Sequence, residues 1–203
     1  MSVRVWVASR NAGKVAELQH LLGASFDLRA WPGEQLAEET GASYLENAMA
    51  KAQVVRGQTL DWVLADDSGL EVAALGGQPG IHSARYAGAA AGDLENRTKL
   101  LAELGALPGA SRLATFVAVL VLLRVGHGAL AATGSCSGTI AEAERGVGGF
   151  GYDPLFISDE LGITFAEATE SAKAAVSHRG RAARRLMAEL QRSGRFDPRP
   201  DAR

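Results

Sequence analysis

The hydrophobic pattern of this chain switches repeatedly between short apolar runs and helical periods. Residues 3–8, carrying Val3, Val5 and Val7, predict a first strand. The polar stretch Ser9-Arg10-Asn11-Ala12-Gly13-Lys14 then leads into a helix through about Leu22, with Val15, Leu18, Leu21 and Leu22 on one face. Residues 27–30 predict a short strand, broken by Trp31-Pro32-Gly33. Ser43 is a natural N-cap for a helix from about Tyr44 to Arg56, and Glu46 three residues later makes a capping box. Trp62-Val63-Leu64-Ala65 predicts a short buried strand ending at Asp66-Asp67, because Ser68 and Gly69 are turn residues.

The second half follows the same logic. Residues 76–88 are Gly-rich and lack a period, which predicts a long irregular loop, a feature usually tied to function. Residues 93–104 predict a helix whose apolar positions are Leu94, Leu100, Leu101 and Leu104. Residues 112–124 and 129–141 are two strand-like runs around Gly126-His127-Gly128, a hairpin pattern with His127 exposed at its turn. Residues 146–151 formally spell G-x-G-x-x-G. Pro154 follows within three residues and no helical period begins, so a dinucleotide fold is rejected. What is left is a loop displaying Phe150, Tyr152 and Asp153. Ser177 caps a last helix, Ala182 to about Leu190, with His178 and Arg179 in its first turn. Cations there oppose the helix dipole unless an anion or polar ligand is bound. The tail from Gly194 is expected to fray.

Composition narrows the class. The 203 residues suit one large domain or two packed lobes. A net charge of −2 gives no basic footprint and argues against general nucleic-acid binding. The single cysteine, Cys136, excludes an internal disulfide and reads as a small hydrophobe in a strand. The longest apolar run, residues 113–123, is short of the ~20 residues a bilayer span needs. No secretory signal precedes the first strand, so a cytoplasmic protein with no membrane partner is expected.

The chemistry gathers around Ala65-Asp66-Asp67-Ser68-Gly69-Leu70. Two adjacent carboxylates near a core repel and need partners, and a common partner is a divalent cation used for phosphate chemistry. In a strand the two point to opposite faces. The loop Ser9–Lys14 before a helix is a phosphate-cradle layout, or simply a helix cap beside a surface lysine. Asn47 and Lys51 share a helix face, and Lys51 is either a solvated lysine or a second group on the anion of Lys14. Phe150 offers a stacking face or plugs a glycine loop.

These motifs occur in a specific order. They are Ser9-x-Asn11-x-x-Lys14; Glu39-Thr40-Gly41 with Glu46-Asn47-Ala48 and Lys51-Ala52; the Asp66-Asp67 stretch; Gly77-x-Pro79-Gly80 with Ser83-Ala84-Arg85-Tyr86; Asn96; Gly149-Phe150-Gly151-Tyr152-Asp153-Pro154; Lys173; and Ser177-His178-Arg179. Together, from Ser9 to about Leu190, the chain resembles the inosine/xanthosine triphosphate pyrophosphatase family. The resemblance implies an α/β fold, a long mixed β-sheet flanked by helices, with two lobes and the active-site cleft between them. It implies a single catalytic domain over residues 1–193, a flexible tail over 194–203, and a homodimer. It implies hydrolysis of deaminated purine nucleoside triphosphates (dITP, ITP, dXTP, XTP) to the monophosphate and pyrophosphate, with Mg²⁺. Carried over by position, Asp67 is the catalytic base and a metal ligand, with Glu39 the second ligand. Ser9, Arg10, Asn11, Ala12, Gly13, Lys14 and Lys51 bind the triphosphate, and Ser68 touches the substrate. Phe150, Gly151, Tyr152, Asp153, Lys173, His178 and Arg179 hold the base and sugar.

Overall fold

A computed structural model describes residues 2–34 and 37–193. The expected frayed tail, 194–203, lies outside the described residues. Among them are the strands β1 (Val3–Val7), β2 (Phe26–Ala30), β3 (Trp62–Val72), β4 (Leu113–Arg124), β5 (Gly128–Ile140) and β6 (Phe156–Ser158). The helices are α1 (Ala12–Leu22), α2 (Tyr44–Arg56), α3 (Asp93–Gly105), α4 (Glu170–Val176) and α5 (His178–Ser193). The strands form one mixed sheet in the order β2-β1-β3-β4-β5-β6. β1 runs parallel to both β2 and β3, whereas β5 and β6 are antiparallel.

The chain divides into two compact units. The first comprises Met1–Asp67, Ala118–Gly134 and Arg179–Arg203. Its apolar side chains alternate along the strands. Trp62 and Leu64 of β3 and Ala118, Leu120 and Leu122 of β4 pack with Leu18 and Leu22 of α1 and with Ala182, Leu186 and Leu190 of α5. Val63 and Ala65 of β3 and Val119, Val121 and Leu123 of β4 pack with Ala48, Ala52 and Val55 of α2. Period-2 alternation thus assigns even residues of this part of β3 to α1 and α5, and odd residues to α2. The second unit comprises Ser68–Val117 and Ser135–His178. Its core gathers Leu70, Val72, Leu100, Leu104, Phe116, Ile140, Tyr152, Leu155, Phe156 and Phe165.

Several expectations are corrected. Strand β3 does not stop at the carboxylates but continues through Ser68 and Gly69 to Val72, because Leu70 and Val72 are core residues on its far half. Residues 76–88 are not structureless: they follow a 3₁₀ turn at Ala73–Leu75 and contain a second at Gly80–Arg85. Leu94 is 59% exposed rather than part of the apolar face of α3. His127 is half-buried, its ring 5.5 Å from that of Trp62. Helix α4 is an addition to the expected elements, whereas α5 starts directly after Ser177 with His178 and Arg179 in its first turn, as the N-cap expectation has it, four residues ahead of the amphipathic stretch from Ala182. The capping box of α2 forms differently from the reciprocal pattern. Ser43 Oγ accepts from the Glu46 amide at 3.2 Å, but the Glu46 carboxylate accepts from Ala42 instead, at 2.9 Å.

Candidate active site

The Ser9–Lys14 stretch forms the entry to α1. Ser9 Oγ accepts from the Asn11 amide at 3.1 Å, and Asn11 Oδ1 caps the helix by accepting from the Lys14 amide at 3.0 Å. Arg10, Asn11, Ala12 and Gly13 are exposed, and Arg10 donates to the Glu34 carbonyl. A helix N-terminus with exposed small residues presents amide dipoles outward, an arrangement suited to an anion.

Asp66 is an even residue of β3 and so faces α1 and α5. Lys14 Nζ lies 2.9 Å from Asp66 Oδ2. Arg179 Nε and Nη2 donate to the two Asp66 carboxylate oxygens, both at 3.2 Å, and Arg179 Nη1 donates to Glu17 at 2.6 Å. Burial alone would raise the Asp66 carboxyl. The charges and hydrogen bonds of Arg179 and Lys14 outweigh it and hold the group well below the usual carboxylate range. Arg179 is only 2% exposed. Its position in the first turn of α5 is therefore compensated by two carboxylates of the protein itself, without recourse to a ligand.

Asp67 is odd and faces α2. Lys51 Nζ lies 2.6 Å from Asp67 Oδ1, and Asn47 Nδ2 donates to Asp67 Oδ2 at 3.3 Å. Lys51 also pairs with Glu39. Lys14 and Lys51 therefore pair with different carboxylates of the protein, and Lys51 is buried rather than a solvated lysine. Burial pushes the Asp67 carboxyl up, and Lys51 only partly opposes it; Glu39 adds to the rise. Burial would lower the Lys51 ammonium, but Asp67 and Glu39 outweigh it and raise the group, so Lys51 stays charged.

Glu39 and Asp67 are the residues suited to a metal. Among the described residues no group of three or more His, Cys, Asp or Glu side chains converges. Mg²⁺ does not need one, since it takes one or two carboxylates plus waters and phosphate oxygens. Glu39 and Asp67 already gather around one ammonium, and these three side chains carry one negative charge in excess. The donor set fits a hard divalent cation.

The other expected residues lie in the second unit. The Phe150 amide donates to Asp153 Oδ2 at 2.9 Å, and Lys173 Nζ reaches the same oxygen at 2.7 Å. Lys173 also sits 5.1 Å from the centroid of the half-buried Phe150 ring. Gly149 is required here: a Cβ would lie 2.1 Å from Asp153 Oδ2. Tyr152 and Asp153 are buried, not displayed. The Tyr152 hydroxyl donates to the Ser83 carbonyl at 2.9 Å and its ring belongs to the core, so it braces the loop from within. His178 is buried, its ring stacked on Phe116 at 4.5 Å. Ser68 is half-buried on β3. Glu17 and Asn47 join the site without an expected role. Their signal in the sequence is the helical spacing to residues already singled out: Glu17 is three after Lys14, and Asn47 four before Lys51.

Comparison with known proteins agrees on one family. A profile of the Ham1 family matches residues 5–189. A dITP/XTP pyrophosphatase from Erwinia tasmaniensis is 50% identical over 191 residues, 91% of this chain and 92% of that protein. One from Methylococcus capsulatus is 46% identical over 196 residues, covering 94% and 98%. The structure of a HAM1 protein from Coxiella burnetii superposes with a TM-score of 0.83 at 38% identity, covering 94% of this chain and 99% of that one.

Proposed function

Since the chain belongs to the Ham1 family, we propose that it hydrolyses deaminated purine nucleoside triphosphates (dITP and ITP, dXTP and XTP) to the nucleoside monophosphate and pyrophosphate. The observation that carries the reading is the Asp67–Lys51–Glu39 group, a buried carboxylate of raised basicity beside a fixed ammonium and a second acid. Relatives named for this activity share close to half of the residues over nearly the full length.

The roles follow from the chemistry. A triphosphate carries about four negative charges near neutral pH, and the α1 entry with Lys14 and Lys51 answers them. Asp67 accepts the proton of an attacking water, its basicity raised toward working pH by burial. No covalent nucleophile is called for, and a single in-line displacement is the simplest course. Glu39 and Asp67 would hold Mg²⁺, which when bound supplies charge stabilisation to the phosphate oxygens. On the base side, Phe150 supplies a stacking face worth about 1–3 kcal/mol per base. Asp153, Lys173, His178 and the Gly151 backbone complete that side, with Ser68 against the substrate. Arg179 gives Nε, Nη1 and Nη2 to Asp66 and Glu17, so in this reading it supports the site through Asp66 rather than meeting the O6 of a keto purine directly. We assign the activity to residues 1–193 as one catalytic domain, acting in the cytoplasm as a homodimer. No helix among the described residues is long and apolar enough to cross a membrane.

The test is steady-state pyrophosphate release with Mg²⁺ from dITP, dGTP and dATP. Preferential release from dITP is expected. Orthophosphate as the first product would overturn the reading.

A further inference from the structure

The loop that carries Phe150 is fastened by side chains of α3 to which the proposed reaction gives no role. Asp93 and Arg97 are one turn apart and share a helix face. The Gly151 amide donates to Asp93 Oδ2 at 2.7 Å, and Arg97 Nη1 donates to the Gly151 carbonyl at 2.9 Å. Both backbone polar groups of a single residue are thus taken by one face of one helix. Arg97 is locked in turn. Its Nε and Nη2 donate to the two carboxylate oxygens of Glu144 at 2.7 and 3.2 Å, a bidentate fork of the strong, planar kind.

The fastened residue is one of the bends of this loop. Gly151 has φ +62°, in the left-handed region that glycine tolerates. From the other side, the Phe150 amide is held by Asp153, which Lys173 fixes. Phe150 therefore sits between two consecutive amides that each donate to a carboxylate, one from its own loop and one from α3. The first anchor accounts for the fold of the loop on itself. The second ties it to the helix and decides where the Phe150 ring lies relative to the rest of the unit.

We propose that Asp93 and Arg97 are positioning residues for the purine end of the substrate. They fix the peptide that follows Phe150 and so set the affinity for the base, without acting on the phosphate chemistry. The inference rests on the base-side assignment of Phe150 above.

The test compares Arg97→Ala and Asp93→Ala with the wild-type chain. Inorganic tripolyphosphate, which has the phosphates and no base, is included as a competitive inhibitor. KM for dITP should rise about tenfold, equivalent to about 1.4 kcal/mol, with kcat within about twofold and the tripolyphosphate Ki unchanged. The Gly151 amide should exchange with solvent faster in both variants. Glu144→Gln, which keeps the shape and removes the charge, should raise KM in the same direction by about threefold, as a partly exposed group. Arg97→Lys keeps a donor for the Gly151 carbonyl and should recover part of the loss, which keeps the test open if Arg97→Ala fails to fold. An unchanged KM, or a tripolyphosphate Ki that rises in step with KM, would overturn the proposal. If wild-type protein releases no pyrophosphate from dITP, the proposed function fails. The clamp is then judged on Gly151 exchange alone, and unchanged exchange in Arg97→Ala overturns it.

Discussion

Asp66 and Asp67 are neighbours in sequence with opposite surroundings. Asp66 lies between Lys14 and Arg179, and Arg179 is shared with Glu17. Two acids and two bases balance, and the carboxyl is held well below its ordinary range. Asp67 shares a single ammonium with Glu39, so that group is left one negative charge in excess and its carboxyl is pushed up. The cause of the difference is geometric. β3 is flanked by α1 and α5 on one face and by α2 on the other, and consecutive residues alternate between them. One step along the strand separates a closed, neutral lock from a group that still attracts a cation and can take a proton.

Asp67 is where the difference between the two acids should show most strongly. Asp67→Asn should lower turnover of dITP by roughly 10³-fold, the scale of losing a positioned base, with Tm within about 3 °C of wild type. The amide keeps the size of the side chain, and Lys51 keeps Glu39. Turnover comparable to wild type would remove Asp67 from the chemistry. Asp66→Asn should do the reverse kind of damage. It leaves Lys14 and Arg179 with only Glu17 among these four side chains, and stranding buried charge costs about 3–5 kcal/mol. For a chain of this size that is a fall of about 10 °C in Tm, readable by urea or thermal unfolding. Equal stability loss in the two variants would erase the distinction between lock and reactive group.

Much of this pair is legible in the sequence. Alternation on a strand is a strict period, so opposite faces for Asp66 and Asp67 follow once β3 is identified. The i, i+4 spacing of Asn47 and Lys51 puts both on one side of α2, and both meet Asp67. Which helix covers which face is not legible, since local pattern carries no information about tertiary neighbours. Pattern alone therefore leaves Lys51 between solvent and the anion of Lys14, and does not show that the two lysines pair with two different carboxylates of β3. The length of β3 is underestimated for a related reason. Ser68 and Gly69 have turn propensity, but Leu70 and Val72 bury in the second core and carry the strand past them. Likewise the glycines around Phe150 signal exposure, whereas Tyr152 spends its hydroxyl on Ser83 and its ring on the core. The hydrogen-bond partner of a buried tyrosine is a long-range property that composition does not encode.

A subtler measurement separates the two carboxyls directly. In metal-free protein, the two carboxyls can be followed separately by carbon NMR as pH is lowered. Asp67 should titrate above the ordinary carboxylate value of about 3.9, because burial disfavours its charge more than Lys51 favours it. Asp66 should remain ionised as pH falls through that range, held by Arg179 and Lys14. The signs for stability are opposite. The depressed value of Asp66 means the folded state binds its proton less tightly than the unfolded chain, so its stabilisation is fully present above the unfolded value and is lost as pH falls toward the folded one. The raised value of Asp67 means the folded state binds the proton more tightly, so this group favours folding at low pH and ceases to do so as pH rises through its folded value. Lys51→Met separates the two further. It removes the largest influence holding Asp67 down, so the Asp67 titration should move to still higher pH while that of Asp66 stays where it is. A parallel movement of both would mean that the faces of β3 share one field, and that the opposite behaviour of the two acids has another cause.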